Sequence, residues 1–111
     1  MARILLIEDS PTDTAVLTRL LERHGHTVLT SGSAEDGIEV CKRELPDVVL
    51  MDVVLPGMNG FQATRALSND PHTRTITIVM VTSKSQETDK IWGMRQGAVD
   101  YMVKPVSPDQ L

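Results

Sequence analysis

The chain has 111 residues, 41% of them apolar and 23% charged, with a net charge of −4 at pH 7. That suits one domain spanning 1–111, large enough to bury a core of its own and too short for two. The acidic balance argues against a DNA-binding surface, the lone Cys41 excludes an internal disulfide or a multi-thiolate zinc site, and no apolar run is long enough for a membrane span or a secretory leader; a reducing cytoplasm is the expected location.

Ile4-Leu5-Leu6-Ile7 is a continuous apolar run ended by acids, and predicts a strand buried on both faces. In "SPTDTAVLTRLLERHG", Ser10 can cap a helix, Pro11 fits its first position and Asp13 suits its first turn. Val16, Leu17, Leu20 and Leu21 form the apolar face of that helix, and Gly25 ends it. Residues 27–30 are β-prone. A second helix is expected over 33–44, capped by Ser33, with Ala34, Ile38, Cys41 and Leu45 along one stripe and Pro46 as its stop. Cys41 reads as core filler.

Residues 48–51 predict another buried strand, followed by a Pro-Gly/Asn-Gly loop and a short helix over 61–67. Residues 76–81 are strand-like, 86–95 helical and 100–103 a last strand. The closing "SPDQL" reads as the cap and first turn of a helix that barely begins. Strands alternating with helices imply a parallel sheet covered on both faces.

The polar residues gather at the carboxyl ends of the strands. The first strand leads into Glu8 and Asp9, the third into Asp52, the fourth into Thr82 and Ser83, and the fifth into Lys104 and Pro105. In open parallel sheets that edge is where ligands bind. A carboxylate such as Asp52, set in an apolar strand, is costly unless paired, neutralised or metal-bound. Three acids held together resist ionising, and a hard divalent cation such as Mg²⁺ relieves that repulsion through oxygen ligands. Asp52 could then attack phosphorus and form an acyl phosphate, with Lys104 and Thr82 assisting. Singly, each residue also has a plainer reading. Asp52 can cap a loop, Glu8 and Asp9 can solvate a strand end, Thr82 is common in strands, and Lys104 can be a surface lysine.

"LLIEDS", "VLMDVVLPGMNG", "VMVTSKS" and "GAVDYMVKPV" together resemble the receiver domain of two-component response regulators over nearly the whole chain. The resemblance implies a flavodoxin-like, doubly wound five-stranded parallel sheet of order 2-1-3-4-5, here with its fifth helix truncated. It implies Asp52 as phospho-acceptor, with Mg²⁺ held by Asp9, Asp52 and the Val54 carbonyl directly and by Glu8 largely through water. Thr82 matches the switch hydroxyl, Lys104 the phosphate-binding lysine and Tyr101 the aromatic that rotates inward. The Lys104–Pro105 bond matches the family's cis bond. Val54 and Lys84 fall where the family tunes phosphoryl lifetime. Within that family, "NGFQATRALSND" and "SQETDKIWGMRQGAVDYMVKPV" resemble the small chemotaxis-type receivers of type IV pilus twitching motility.

The implied role is signalling rather than enzymatic. The partners are a histidine kinase or phosphotransfer domain and a downstream protein such as a motility component, without nucleic acid, membrane or flavin. An alternative is the receiver module of a longer regulator. A less favoured one is an aspartate-nucleophile phosphatase, whose second acid two residues after the nucleophile is replaced here by Val54. A flavin carrier of the same fold needs hydroxyls and glycine where "EDSPTD" offers acids. Tyr101 also reads as a half-buried edge-strand residue with a wet hydroxyl. Trp92 lies in a helix weakened by Gly93, and fits either a partner anchor or a plain surface helix. His24, His26 and His72 show no metal-ligand spacing.

Overall fold

A computed structural model describes residues 1–107. Residues 108–111, on which the expected truncated fifth helix rests, lie outside the described residues. Strands and helices alternate as β1 (Arg3–Ile7), α1 (Pro11–Arg23), β2 (Thr27–Ser31), α2 (Ala34–Glu44), β3 (Val48–Met51), α3 (Gly60–Asn69), β4 (Thr77–Thr82), α4 (Glu87–Gln96) and β5 (Asp100–Val103). The five strands form one parallel sheet of order β2-β1-β3-β4-β5, a flavodoxin-like fold. The chain runs outward from β1 to β2 and then returns to β3 on the other side of β1. The winding therefore reverses between β1 and β3, where a crevice opens at the carboxyl ends of the strands.

Local chemistry sets the element ends. Ser10 and Ser33 cap α1 and α2, their side chains accepting from the Asp13 and Asp36 amides. Asn59 caps α3 in a reciprocal box with Gln62, at 2.9 Å in each direction. Asn59-Gly60 is thus a helix start rather than the turn pair that its composition implies. The α4 N-cap, Gln86, makes no side-chain cap bond.

Alternate strand residues feed two cores. Leu5, Ile7, Val49, Met51, Ile78 and Met80 face α2 and α3 through Val40, Cys41, Ala63 and Leu67. Ile4, Leu6, Leu50 and Val81 face Leu17 and Leu21 of α1. Two expectations for apolar faces fail. Val16 is 58% exposed, so the buried stripe of α1 is the narrower Leu17–Leu21 pair. Leu45 is also exposed, because the chain leaves α2 through a left-handed residue there, with φ of 45°. Gly37 and Val40 are buried on the inner stripe in its place. Among the described residues, no helix is long and apolar enough to cross a membrane.

Candidate functional site

Sheet register builds the site. Ile7 is paired with Met51, so the residues that follow them, Glu8 and Asp52, leave the sheet side by side. The Glu8 amide donates to the Ser31 carbonyl at 3.0 Å and the Asp52 amide to that of Ile7 at 3.1 Å, which continues the ladder past the strand ends. On the far side, Thr82 is paired with Val103, and the Lys104 amide donates to the Thr82 carbonyl at 2.9 Å. The Lys104–Pro105 peptide is cis.

One oxygen from each of Glu8, Asp9 and Asp52 lies within 4.8 Å of the others. Glu8 and Asp52 are buried and Asp9 is exposed. The Lys104 ammonium points into this cluster. It donates to Glu8, to Asp13 Oδ2 at 2.8 Å and to Asp52 Oδ2 at 3.3 Å. Asp52 Oδ1 accepts from the Val54 amide at 3.3 Å, a two-residue turn that orients the carboxylate from its own loop. The opening of α3 closes on the same loop, with the Gly60 amide donating to the Val53 carbonyl at 2.9 Å. A Cβ at Gly60 would collide with the Asp52 carbonyl oxygen, so the close approach requires glycine.

The electrostatics show the strain of the cluster. Burial, and then the facing Asp52 carboxylate, push the Glu8 carboxyl up from 4.5 to about 7, against the downward pull of Lys104. For Lys104, burial pulls the ammonium down, but its bonds to Asp13 and Glu8 outweigh this and the net shift is upward. Lysine charge is thus secured while one carboxylate is held short of full ionisation. An oxygen-only donor set with excess negative charge fits a hard divalent cation and lacks the thiolate or imidazole ligands of softer metals.

Thr82 is fully buried at the end of β4, and its hydroxyl accepts from the Lys84 amide at 3.4 Å. Tyr101 is 8% exposed, and its hydroxyl donates to the Lys84 carbonyl at 2.8 Å. The half-buried, wet reading of Tyr101 is therefore wrong: the ring is inside and its polar tip is bonded to protein. Gly93 makes room for it, since a Cβ there would stand 3.1 Å from Tyr101 Cδ2. The side chains of Val54 and Trp92 are exposed.

Sequence reasoning missed Asp13 as a site residue and assigned it only to the first turn of α1. The available signal was the Ser10 cap. A cap three residues earlier places Asp13 at the third helical position, and helical side chains lean toward the N-terminus, here toward the end of β1.

The fold and site define a class: an open parallel sheet with an acidic pocket and one lysine at its carboxyl edge. The sequence profile of the response regulator receiver domain matches residues 4–111, and the chain belongs to that family. Protein PilH of Pseudomonas aeruginosa is 56% identical over 111 residues, which is 100% of this chain and 92% of that protein. The transcriptional regulatory protein AfsQ1 of Streptomyces coelicolor is 38% identical over 96% of this chain, which spans only 46% of AfsQ1. Among solved structures, the receiver domain of the sensor histidine kinase PA1611 from Pseudomonas aeruginosa superposes with a TM-score of 0.90 at 28% identity, covering 98% of this chain and 89% of that one. That structure carries a magnesium ion coordinated in its active-site cleft.

Proposed function

We propose that Asp52 accepts a phosphoryl group from a phosphohistidine on a histidine kinase or phosphotransfer domain. A carboxylate oxygen of Asp52 attacks phosphorus as the phosphorus–nitrogen bond breaks, and the departing imidazole keeps the electron pair of that bond. The observation that carries this reading is the convergence of Glu8, Asp9 and Asp52 on one another, with Lys104 Nζ 3.3 Å from Asp52 Oδ2.

Glu8, Asp9, Asp52 and the Val54 carbonyl would hold Mg²⁺, which when bound neutralises charge on the transferred group. Lys104 offers a second positive charge to a phosphoryl oxygen, and the Thr82 hydroxyl offers a hydrogen bond. Tyr101 reports the change to the surface through its bond to the β4–α4 loop. The output is then a shift between two conformations already present rather than a new fold. Such a protein signals by carrying a group and is not itself an enzyme. The motifs shared with type IV pilus receivers, and the extent of identity to PilH, support a cytoplasmic role in chemotaxis-like control of twitching motility through a downstream motility component.

The test is incubation with acetyl phosphate and Mg²⁺, read by intact mass. Wild type gains one phosphoryl group; Asp52→Asn and EDTA-treated protein gain none. Labelling that persists in Asp52→Asn refutes the assignment.

A further inference from the structure

Asp13 lies outside the stretches that carry the family resemblance, yet it holds Lys104 at 2.8 Å, closer than Asp52 does at 3.3 Å. It is not among the mutually close oxygens of Glu8, Asp9 and Asp52, although it shares the Lys104 ammonium with Glu8 and Asp52. It is a partner of the lysine, not a member of the ligand set. We infer that Asp13 is a positioning residue: it offers the Lys104 ammonium an acceptor at the side of the pocket, so that the lysine can give up Glu8 and Asp52 to an incoming cation and still stay within reach of a phosphoryl group. The inference rests on the receiver reading above.

The geometry supplies the reason. In the cation-free protein Lys104 bonds Glu8 and Asp52, the same carboxylates that Mg²⁺ would need. The lysine and a divalent cation therefore compete for them. Asp13 gives the ammonium an acceptor that the cation does not use. The helix start pins its backbone in place, with the Asp13 amide donating to Ser10 Oγ at 3.3 Å and the Thr14 amide to the Ser10 carbonyl at 2.9 Å. The Asp13 side chain is 43% exposed against 17% for Lys104, so the pair spans the rim of the pocket, with the aspartate outermost.

The alternative is that Asp13 merely stabilises the N-terminus of α1 through the helix dipole. The two readings separate in a double-mutant cycle on Mg²⁺ affinity, measured by titration calorimetry on wild type, Asp13→Ala, Lys104→Ala and the double variant. Asp13→Ala should weaken Mg²⁺ binding roughly three- to fivefold, the size of a partly exposed ion pair, and the loss should vanish in the Lys104→Ala background. At saturating Mg²⁺, Asp13→Ala should also slow phosphoryl uptake from acetyl phosphate. Asp13→Asn, which keeps the side-chain shape and removes only the charge, should reproduce both losses; losses confined to Asp13→Ala would trace to the helix and overturn the proposal. Unchanged Mg²⁺ affinity in Asp13→Ala and Asp13→Asn overturns the proposal, as does an equal loss with and without Lys104. If wild type takes no phosphoryl group, the receiver assignment fails, while the Mg²⁺ cycle still decides whether Asp13 acts through Lys104.

Discussion

Tyr101 Oη and the Lys84 carbonyl oxygen lie 2.8 Å apart, and the amide of the same Lys84 donates to the Thr82 hydroxyl at 3.4 Å. One residue of the β4–α4 loop therefore joins the buried hydroxyl of β4 to the buried ring of β5. Burial, and then the charges of Asp89 and Asp52, push the Tyr101 hydroxyl up to about 12, so it remains a protonated donor throughout the neutral range.

Tyr101→Phe keeps the ring and deletes this bond. It should lower the free energy of unfolding by about 0.5–1.5 kcal/mol in denaturant titrations. Amide exchange in the loop around Lys84 should quicken by a larger factor than that of the most protected amides of β1 and β3, which speed up only as far as the global stability falls. Equal acceleration throughout the sheet would show that the hydroxyl supports the whole fold and not the loop.

Gly60→Ala should be far more disruptive than an ordinary helix substitution. Alanine favours helices, yet here its Cβ meets the Asp52 carbonyl oxygen, a backbone atom fixed by the sheet. A loss of at least about 2 kcal/mol is expected, as for overpacking in a rigid interior, together with weaker Mg²⁺ binding because the Asp52 loop must shift. A stability equal to wild type in thermal unfolding would contradict this.

Metal-free protein should lose stability as pH rises from about 4.5 to about 7. Over that window the unfolded chain has already released the Glu8 proton while the folded protein still holds it, so folding is favoured at the lower end and the advantage is gone above the folded value. Saturating Mg²⁺ should flatten or reverse the slope, since a cation needs the ionised carboxylate. Chemical denaturation at several pH values, with and without Mg²⁺, checks the sign, and Glu8→Gln should abolish the slope in the metal-free series.

Leu45→Gly should raise stability by roughly 0.5 kcal/mol, since relief of a left-handed residue exceeds the added freedom of the unfolded chain. Leu45 is 48% exposed, so little packing is lost. A lower denaturation midpoint would mean that its apolar contacts outweigh its backbone strain.

The alternation of elements was legible because buried parallel strands are short, continuous apolar runs, and 48–51 and 100–103 carry their boundaries openly. The placement of Glu8, Asp9, Asp52 and Lys104 was legible for a related reason: each follows directly on such a run. Asp13, Leu45 and Gly60 were not read correctly, and each failure is physical. Asp13 acts through a lysine 91 residues away, a contact that helical spacing does not encode. Leu45 continues the apolar period of α2, but Pro46 ends the helix and turns the preceding residue outward. Gly60 belongs to an Asn-Gly pair that resembles a turn, and only the approach of Asp52 explains it. Tyr101 sits on an edge strand, and its burial depends on an absent side chain at Gly93, which sequence reasoning took only as a weakness in α4.

Among the described helices, α1 alone packs on the second core, through Leu17 and Leu21. The same helix carries Asp13 at its first turn. Apolar anchoring and ammonium placement thus share one rigid rod. A partner that tilts α1 by gripping its outer side would retune the acidic pocket without touching it.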